Sequence, residues 1–239
     1  MLRSQFALVL GLGACSPTTT PPPATPTAPA PHAQHDHDAH HGHHQAHAGG
    51  MQHRFENAEQ WAKVFDDPAR DAWQEPDKVV AALALSATMT VADVGAGTGY
   101  FAVRLARAVP NGSVIATDIE PDMVRYMADR AKREQIANLI SKHTPPDDPQ
   151  LAAASLDRIL VVDVWHHLGD RVAYAKHLAS ALRPGGRLAI VDFKLDASMG
   201  PPKQHRLAPD AIATDLRAAG LTVAPPIDLK EQYILIATR

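Results

Sequence analysis

A short, mostly apolar stretch followed by glycines at alternate positions constrains the fold of this chain more than any other feature. Residues 90–94 are partly β-branched, which is typical of a strand buried on both faces of a parallel sheet. Glycines stand at positions 95, 97 and 99, and apolar residues at helical spacing follow from Phe101. Since glycine has no Cβ, a ligand can approach such a loop closely, and the helix N-terminus favours an anionic group. We therefore predict a strand, loop and helix that bind a nucleotide cofactor.

The spacing of these glycines differs from the dinucleotide fingerprint G-x-G-x-x-G. Counted from Gly95, the third glycine of that fingerprint falls at position 100, where this chain has Tyr100. A turn that binds the pyrophosphate of NAD, and with it an NAD-dependent enzyme, is therefore disfavoured. A tight strand-to-helix turn without a ligand is the alternative interpretation of the loop.

Asp93, one apolar residue and the three glycines together resemble the first motif of the class I S-adenosylmethionine-dependent methyltransferases. The resemblance implies an α/β fold with a Rossmann-like, seven-stranded and mostly parallel sheet, an antiparallel C-terminal strand and helices on both faces. It also implies S-adenosylmethionine as the cofactor, an unidentified small-molecule acceptor, and a loop that holds the methionine end of the cofactor. The cofactor-binding residues implied for this motif are Asp93, Gly95, Ala96, Gly97, Thr98 and Gly99.

A carboxylate follows the next predicted strand. Asp118 ends the stretch Ser113–Thr117 and lies nineteen residues after Gly99, close to the roughly 20-residue interval at which a Rossmann-type acid reaches the ribose hydroxyls. Capping of the helix that begins near Pro121 is the alternative role of Asp118. The resemblance also implies cofactor contacts by Ile119 and Met123 and, near the adenine amino group, by Asp148 or its neighbour Asp147.

The predicted fourth strand, Leu156–Val164, ends in a cluster of chemically active side chains. Ligands of open α/β sheets bind outside the carboxyl ends of the strands, so the residues from Asp163 onward are expected to face the transferred methyl group. A histidine with a pKa near neutrality can take a proton from the acceptor, and Asp163 can orient a histidine or contact the cofactor. Pocket lining or a hydrogen bond at a helix start is the alternative. The candidate catalytic residues are Asp163, His166 and His167.

A second motif supports the resemblance. The run L-R-P-G-G-R-L-A-I-V-D at residues 182–192 resembles the turn before the fifth strand in the same family, and a strand is predicted over Arg187–Phe193. The long connection Lys194–Pro209 is predicted to be a lid or an acceptor-site loop. The resemblance covers about Arg54–Arg239.

Apolar residues at helical spacing predict six helices, and short apolar runs predict three further strands. Helices ahead of the first strand often cover the cofactor in the family that the chain resembles, so Trp61, Trp73, Gln74 and Glu75 are candidates for that role, with packing as the alternative. The predicted helices span 55–65, 77–85, 101–109, 121–135, 172–182 and 212–219, and the strands span 138–142, 221–224 and 233–238.

Composition excludes several classes of function. The net charge of −3 over 239 residues gives no basic field for nucleic acid, and no Asn-Pro-Pro-Tyr motif stands at the fourth strand. One cysteine excludes an internal disulfide. No apolar run approaches the roughly 20 residues that a membrane-spanning helix needs.

The first fifty residues differ in character from the remainder. Arg3 and the apolar run Phe6–Leu12 indicate a signal peptide over residues 1–14, and Leu12-Gly13-Ala14-Cys15 resembles the lipobox of bacterial lipoproteins, in which the cysteine is lipidated. Cys15 is therefore expected to anchor the chain to a membrane surface of the cell envelope, facing the periplasm or the exterior. Translation from Met51 would instead leave the protein in the cytoplasm, where the cofactor is made.

Residues 15–53 are predicted to be a disordered linker, rich first in Pro and Thr and then in His. Neutral imidazoles bind Zn, Cu or Ni loosely, although a solvated linker explains the tract equally well. A metal-binding, membrane-anchored lipoprotein with a non-catalytic domain is thus the alternative to an enzyme in residues 54–239. The candidate metal ligands are His35, His37, His40, His41, His43 and His44.

Overall fold

The structure is a computed structural model that describes Phe55 and residues 57–239. Its strands are β1 (Thr90–Val94), β2 (Ser113–Asp118), β3 (Leu139–His143), β4 (Leu156–Val162), β5 (Leu182–Phe193), β6 (Thr222–Val223), β7 (Ile227–Asp228) and β8 (Gln232–Thr238). Its α-helices are α1 (Ala58–Phe65), α2 (Asp71–Gln74), α3 (Pro76–Ala82), α4 (Tyr100–Ala108), α5 (Pro121–Arg133), α6 (Arg171–Ala181) and α7 (Pro209–Ala218). Single 3₁₀ turns lie at Pro68–Arg70, Trp165–His167 and Lys203–His205.

The sheet confirms the predicted fold class. Strands β3, β2, β1, β4 and β5 pair in that order and are all parallel. Strand β8 pairs antiparallel with β5, and the two-residue strands β6 and β7 each pair antiparallel with β8. Strand β7 was not predicted, because two residues are too few to show an alternating pattern.

Helices cover both faces of the sheet, and each face has its own apolar core. Val91 and Leu160 of the central strands belong to the core under α3, α4 and α5, whereas Ala92 and Ile159, the alternate residues, belong to the core under α6 and α7. All four side chains are fully buried. This two-sided burial explains why the central strands read as continuous apolar runs.

Several element boundaries differ from the predictions. The turn predicted at residues 183–186 lies inside β5, where the pairing with β4 shifts register between the pairs formed by Leu156 and Arg158, so these residues form a bulge within the strand. Strand β4 ends at Val162 rather than Val164, because Asp163 has a φ of 58° and leaves the extended conformation. Helix α1 begins at Ala58.

Residues 57–82, which we call the cap, lie across the carboxyl edge of the parallel strands. The backbone N–H of Ala58 donates to Asp122 in the first turn of α5, which follows β2, at 2.6 Å. Trp73 stacks on Phe193 at the end of β5, with ring centroids 5.7 Å apart. Among the described residues, none of the helices combines the length and apolar character required to cross a bilayer.

Candidate active site

The glycine loop is fixed between the end of β2 and the segment that follows β4. Gly95, Gly97 and Gly99 all have positive φ, at 71°, 55° and 88°. A Cβ on Gly95 would lie 2.3 Å from Cγ2 of Val164, so this position accepts only glycine. The N–H groups of Gly95 and Ala96 both donate to the carbonyl oxygen of Thr117 at 2.9 Å. The loop is therefore shaped by close backbone contacts at the edge where ligands of α/β sheets bind.

Asp118 reaches the middle of this loop. Its Oδ2 accepts the N–H of Gly97 at 2.8 Å and its Oδ1 accepts the N–H of Glu120 at 2.9 Å. The residue is 8% exposed, and burial raises its pKa, although these backbone N–H groups act in the opposite direction. A carboxylate has about four acceptor positions, so both oxygens keep capacity for the hydroxyls of a sugar.

Two neighbours of Asp118 lie in different environments. Ile119, the residue after β2, is 47% exposed. Its side chain is therefore accessible to a ligand at this edge of the sheet. Met123 is 1% exposed and packs in the interior.

Thr98 of the glycine loop is also buried, and its hydroxyl donates to Asp66 of the cap at 3.1 Å. The cap is thus attached directly to the glycine loop.

Asp93 carries a buried oxygen without a partner. The residue is 2% exposed, and its Oδ2 accepts no hydrogen bond from the described residues. Burial and the neighbouring charge of Asp118 raise the pKa of Asp93 to about 7, while Arg70 opposes the shift. Since an unpaired buried acceptor is costly, this oxygen fits the ammonium group of an amino acid placed on the loop.

The guanidinium group of Arg70 in the cap lies at the same edge of the sheet, where it belongs to a closed ring of four polar side chains. Nε and Nη2 of Arg70 donate to Oε1 of Gln74 at 3.1 and 3.0 Å. Gln74 donates to Gln232 at the start of β8, and Gln232 donates to Asp163. Arg70 closes the ring, with Nη2 lying 3.8 Å from Oδ2 of Asp163. Both glutamines are fully buried, so the ring couples the cap rigidly to the sheet.

The sequence interpretation missed Arg70 and Gln232 as site residues. Arg70 lies in a 3₁₀ turn with no motif around it, and the candidates identified in this part of the chain were Trp61, Trp73, Gln74 and Glu75. Its guanidinium lies 4.1 Å from the ring centroid of Tyr100, which follows the last glycine of the loop. Burial lowers the pKa of Arg70, and Asp163 is the main group that opposes this shift.

The sequence left open whether Asp163 orients a histidine or contacts the cofactor, and in the structure Asp163 and His166 have different hydrogen-bond partners. Asp163 bonds to Gln232 and faces Arg70, and burial raises its pKa to about 7 against the charge of Arg70. Nδ1 of His166 instead lies 2.9 and 3.1 Å from the two carboxylate oxygens of Asp192, the penultimate residue of β5. Asp192 was missed because it reads as part of the fifth strand. The ring of His167 lies beside that of His166, with centroids 4.2 Å apart.

Asp148, the candidate adenine contact, lies on the exposed loop after β3. It accepts the backbone N–H of Gln150 at 2.7 Å and lies 3.7 Å from Nδ1 of His177. This loop begins at the same edge as the other site residues, because the N–H of Thr144 donates to the carbonyl oxygen of Asp118 at 3.0 Å. Asp147, the residue before Asp148, lies on the same loop and is exposed.

Residues 194–208, which we call the lid, continue from β5 above this edge. Gly200 packs on Phe193, where a Cβ would lie 2.5 Å from the ring. Arg206 holds the lid in a compact shape by donating to four backbone carbonyls, those of Leu195 (3.3 Å), Ala197 (2.7 Å), Met199 (3.1 Å) and Pro201 (2.8 Å). Phe193 at the end of β5 therefore contacts both the lid, at Gly200, and the cap, at Trp73.

Aromatic side chains of the cap pack together and contact the glycine loop. Trp61 packs with Phe55 and Phe65 in one cluster, with ring centroids 4.9 and 5.4 Å away. Phe65 in turn lies 3.5 Å from the position of a Cβ on Gly97, so the cluster rests on the glycine loop. Glu75 holds the turn before β8 by accepting the N–H of Lys230 at 2.6 Å.

The predicted lipidation site Cys15 and the histidine tract lie outside the described residues. Within the described residues, no three His, Cys, Asp or Glu side chains are grouped so that they could hold a metal ion.

Comparison with known proteins shows which proteins this domain is similar to. Residues 91–186, which run from β1 into β5, match the methyltransferase-domain family. This stretch of the chain is therefore similar to a methyltransferase domain. The fold and the family match are those of the class I S-adenosylmethionine-dependent methyltransferases, as the glycine motif implied.

Curated relatives are similar to this chain over part of their length. The chain is 31% identical over 178 residues to O-methyltransferase resE of Aspergillus sclerotiorum, covering 70% of this chain and 62% of that protein. It is 30% identical over 136 residues to trans-aconitate 2-methyltransferase of Rhodopseudomonas palustris, covering 56% of this chain and 48% of that protein. The chain thus spans about half the length of the curated relatives that it matches.

A solved structure matches the domain more completely. The crystal structure of a S-adenosylmethionine-dependent methyltransferase from Aquifex aeolicus superposes with a TM-score of 0.71 at 26% identity. The match covers 76% of this chain and 98% of that one. The described residues therefore have the fold of that methyltransferase over nearly its whole length.

Proposed function

We propose that this chain is an S-adenosylmethionine-dependent methyltransferase that acts on a small-molecule acceptor. The observation that carries the proposal is the cradle formed by Asp93, Asp118 and the glycine loop. One acid holds the loop through Gly97 and keeps acceptor capacity, and the other leaves a buried oxygen unpaired beside the loop. Small-molecule methyltransferases among the relatives support the choice of acceptor class.

The residues present fit the two ends of this cofactor. Asp118 would accept the ribose hydroxyls, with Ile119 exposed beside it for the base. Asp93 would receive the α-ammonium group, and Arg70 has N–H groups left over for the α-carboxylate, because only three of its five N–H donors are used in hydrogen bonds. The loop from Gly95 to Gly99 would lie against the chain that joins the two ends.

Orientation is the main task that remains for the protein. The bound cofactor supplies a methyl group already activated by its sulfonium centre. Holding an acceptor in line with that methyl supplies effective molarities on the order of 10⁵–10⁸ M, which can account for most of the acceleration. Trp73 of the cap and Gly200 of the lid both pack on Phe193 over the edge of the sheet, where they would exclude water and competing nucleophiles.

A transfer assay tests this proposal. The full chain is incubated with methyl-labelled S-adenosylmethionine and a small-molecule extract of the cell envelope, and labelled products are identified by mass. We expect at least one labelled small molecule from the wild type. None is expected from Gly95→Ala, because the new Cβ would collide with Val164. Gly220→Ala is the matched control, since Gly220 also has positive φ but faces open space.

The absence of labelled products, together with no binding of the cofactor, would contradict the proposal. That result would favour a metal-binding lipoprotein with a non-catalytic domain, the reading that the histidine tract supports. We further propose that Cys15 is lipidated, which would place the enzyme at a membrane surface of the cell envelope. The histidine tract would then bind Zn, Cu or Ni loosely between the anchor and the domain.

A further inference from the structure

His166 and Asp192 form a hydrogen-bonded pair that is almost completely buried, although it lies at the edge of the sheet where ligands of such folds bind. The side chains are 3% and 0% exposed, and Nδ1 of His166 lies within hydrogen-bond distance of both carboxylate oxygens. Asp192 is itself fixed, because its Oδ1 accepts the N–H of Phe193 at 2.8 Å. A carboxylate accepts hydrogen bonds but does not donate them, so Nδ1 carries the proton. In the neutral ring, Nε2 therefore keeps the lone pair.

The pair lies next to the glycine loop. Val164, two residues before His166, fills the space against Gly95. The N–H of Asp163 donates to the carbonyl oxygen of Val191 at 3.0 Å, so the segment after β4 follows the end of β5 to Asp192. The imidazole thus lies at the edge where the resemblance places the transferred methyl group.

We propose that His166 is the catalytic base of the methyl transfer, that Asp192 is its positioning residue, and that the acceptor is a hydroxyl group. This inference rests on the proposed function and deepens it. An acceptor with an available lone pair, such as an ionised carboxylate, needs no base, whereas a hydroxyl must lose its proton as it reacts. A buried imidazole held in one tautomer by a carboxylate is the arrangement that such a proton transfer requires.

The reaction balances without another reactant. The acceptor oxygen forms a bond to the methyl carbon, and the carbon–sulfur bond breaks with its electron pair remaining on sulfur. The hydroxyl proton passes to Nε2 of His166, which becomes an imidazolium that Asp192 stabilises. That proton then leaves to solvent, and the products are a methyl ether and S-adenosylhomocysteine.

The charges around His166 set the direction of its pH dependence. Burial acts to lower the pKa of His166, but the hydrogen bond and charge of Asp192, together with the charge of Asp163, raise it above the ordinary value. His167 lies beside the ring, and Arg70 faces Asp163 from the cap. Since a base must be neutral to act, the rate is expected to rise with pH through the raised pKa of His166.

The test combines turnover with a spectroscopic measurement on the full chain. Release of S-adenosylhomocysteine is followed with catechol, a hydroxyl probe, and with trans-aconitate, whose carboxylates are already ionised. We expect transfer to catechol, with kcat lowered by about 10²–10⁴-fold in His166→Gln. Asp192→Asn should lower kcat by about tenfold or more and move the pH profile to lower pH, because it removes the charge that raises the pKa of His166. Asp210→Asn, an exposed carboxylate in α7, is the matched control.

Nitrogen-15 NMR of the histidine rings provides a readout that needs no acceptor. In the complex with S-adenosylhomocysteine, His166 should titrate above the ordinary pKa in the wild type and lower in Asp192→Asn, with the proton on Nδ1. Unchanged titration in Asp192→Asn, no titration of His166 between pH 5 and 9, or transfer to trans-aconitate alone would overturn the proposal. Normal cofactor affinity in both variants shows that they are folded, whereas no cofactor binding by the wild type would contradict the proposed function instead.

Discussion

Buried carboxylates are the most informative residues of this molecule. Asp93 and Asp163 each have a pKa raised to about 7, and Asp118 is raised in the same direction, with burial as the first cause in all three. Such groups destabilise a protein when they are ionised without a partner. They lie around one edge of the sheet, where strongly shifted titratable groups mark a functional site. Their cost is explained if a cationic ligand completes the site.

Replacement of Asp93 should separate stability from binding. The folded pKa of about 7 lies above the ordinary value of 3.8, so the unfolded chain loses this proton first. Stability without ligand therefore falls as pH rises from about 4 to about 7, by about 2–4 kcal/mol for this group. Asp93→Asn should raise the free energy of unfolding at pH 8, leave it nearly unchanged at pH 4, and weaken cofactor binding by about tenfold or more.

Thermal unfolding at the two pH values, with Asp210→Asn as an exposed control, measures the stability effect. Calorimetric titration with S-adenosylmethionine measures the binding effect. A variant that is less stable than the wild type at pH 8 would show that Asp93 has a partner the geometry does not provide.

How far the site could be predicted depends on where each residue lies relative to a motif. Asp93 was predicted because it precedes the spaced glycines, and Asp118 was predicted because it lies at the expected interval after them. Arg70, Gln232 and Asp192 were not, because each acts through a partner far away in sequence. Asp192 meets His166 across the ends of two strands, and no local pattern specifies that pairing. Long-range side-chain bonds of this kind require the fold.

At the scale of elements, the cap depends on a few buried polar contacts rather than on helix length. Helix α2 has four residues, too few to be stable by itself. It is held by the bond from Gln74 to Gln232 and by Trp73 on Phe193. The sequence predicted α1 and α3 from their apolar spacing, but α2 gave no such signal. The cap is therefore an element specified by tertiary contacts.

Removal of one glutamine should reveal this dependence. Gln74→Leu leaves Arg70 and Gln232 without the partners that they have in the buried ring. A buried unsatisfied polar group costs about 1–3 kcal/mol, so we expect Gln74→Leu to lower the free energy of unfolding by about that amount. Urea unfolding measures it, with Gln60→Leu on exposed α1 as the control.

A double substitution adds a sharper criterion. Since both glutamines become apolar in Gln74→Leu/Gln232→Leu, its cost should be smaller than the sum of the two single costs. Additive costs would contradict a direct coupling between the cap and β8.

At the scale of the whole molecule, the fold was predictable because its signals repeat along the chain. Four of the five parallel strands, β1, β2, β4 and β5, are each followed by an α-helix, and that alternation specifies a doubly covered parallel sheet. The bulge inside β5 and the short strand β7 were not predictable, since they depend on pairing with β4 and β8. The first fifty residues carry a different set of signals, and these remain predictions.

The proposed anchor can be tested on the intact protein in a bacterial host. The chain has one cysteine, so labelled fatty acid can be attached through a thiol only at Cys15. We expect the wild type to be labelled and to fractionate with membranes, and Cys15→Ser to lose both properties. Equal labelling of the two proteins, or no labelling of either, would contradict lipidation at this residue.

The most direct test of the central claim is a calorimetric titration of the full chain with S-adenosylmethionine. The wild type should bind one equivalent, Asp118→Ala should bind about tenfold more weakly or worse because it loses charge-assisted bonds to the ribose, and Asp210→Ala should match the wild type. NAD should not bind. If the wild type does not bind S-adenosylmethionine, or if Asp118→Ala binds it with unchanged affinity, the account of this site is wrong.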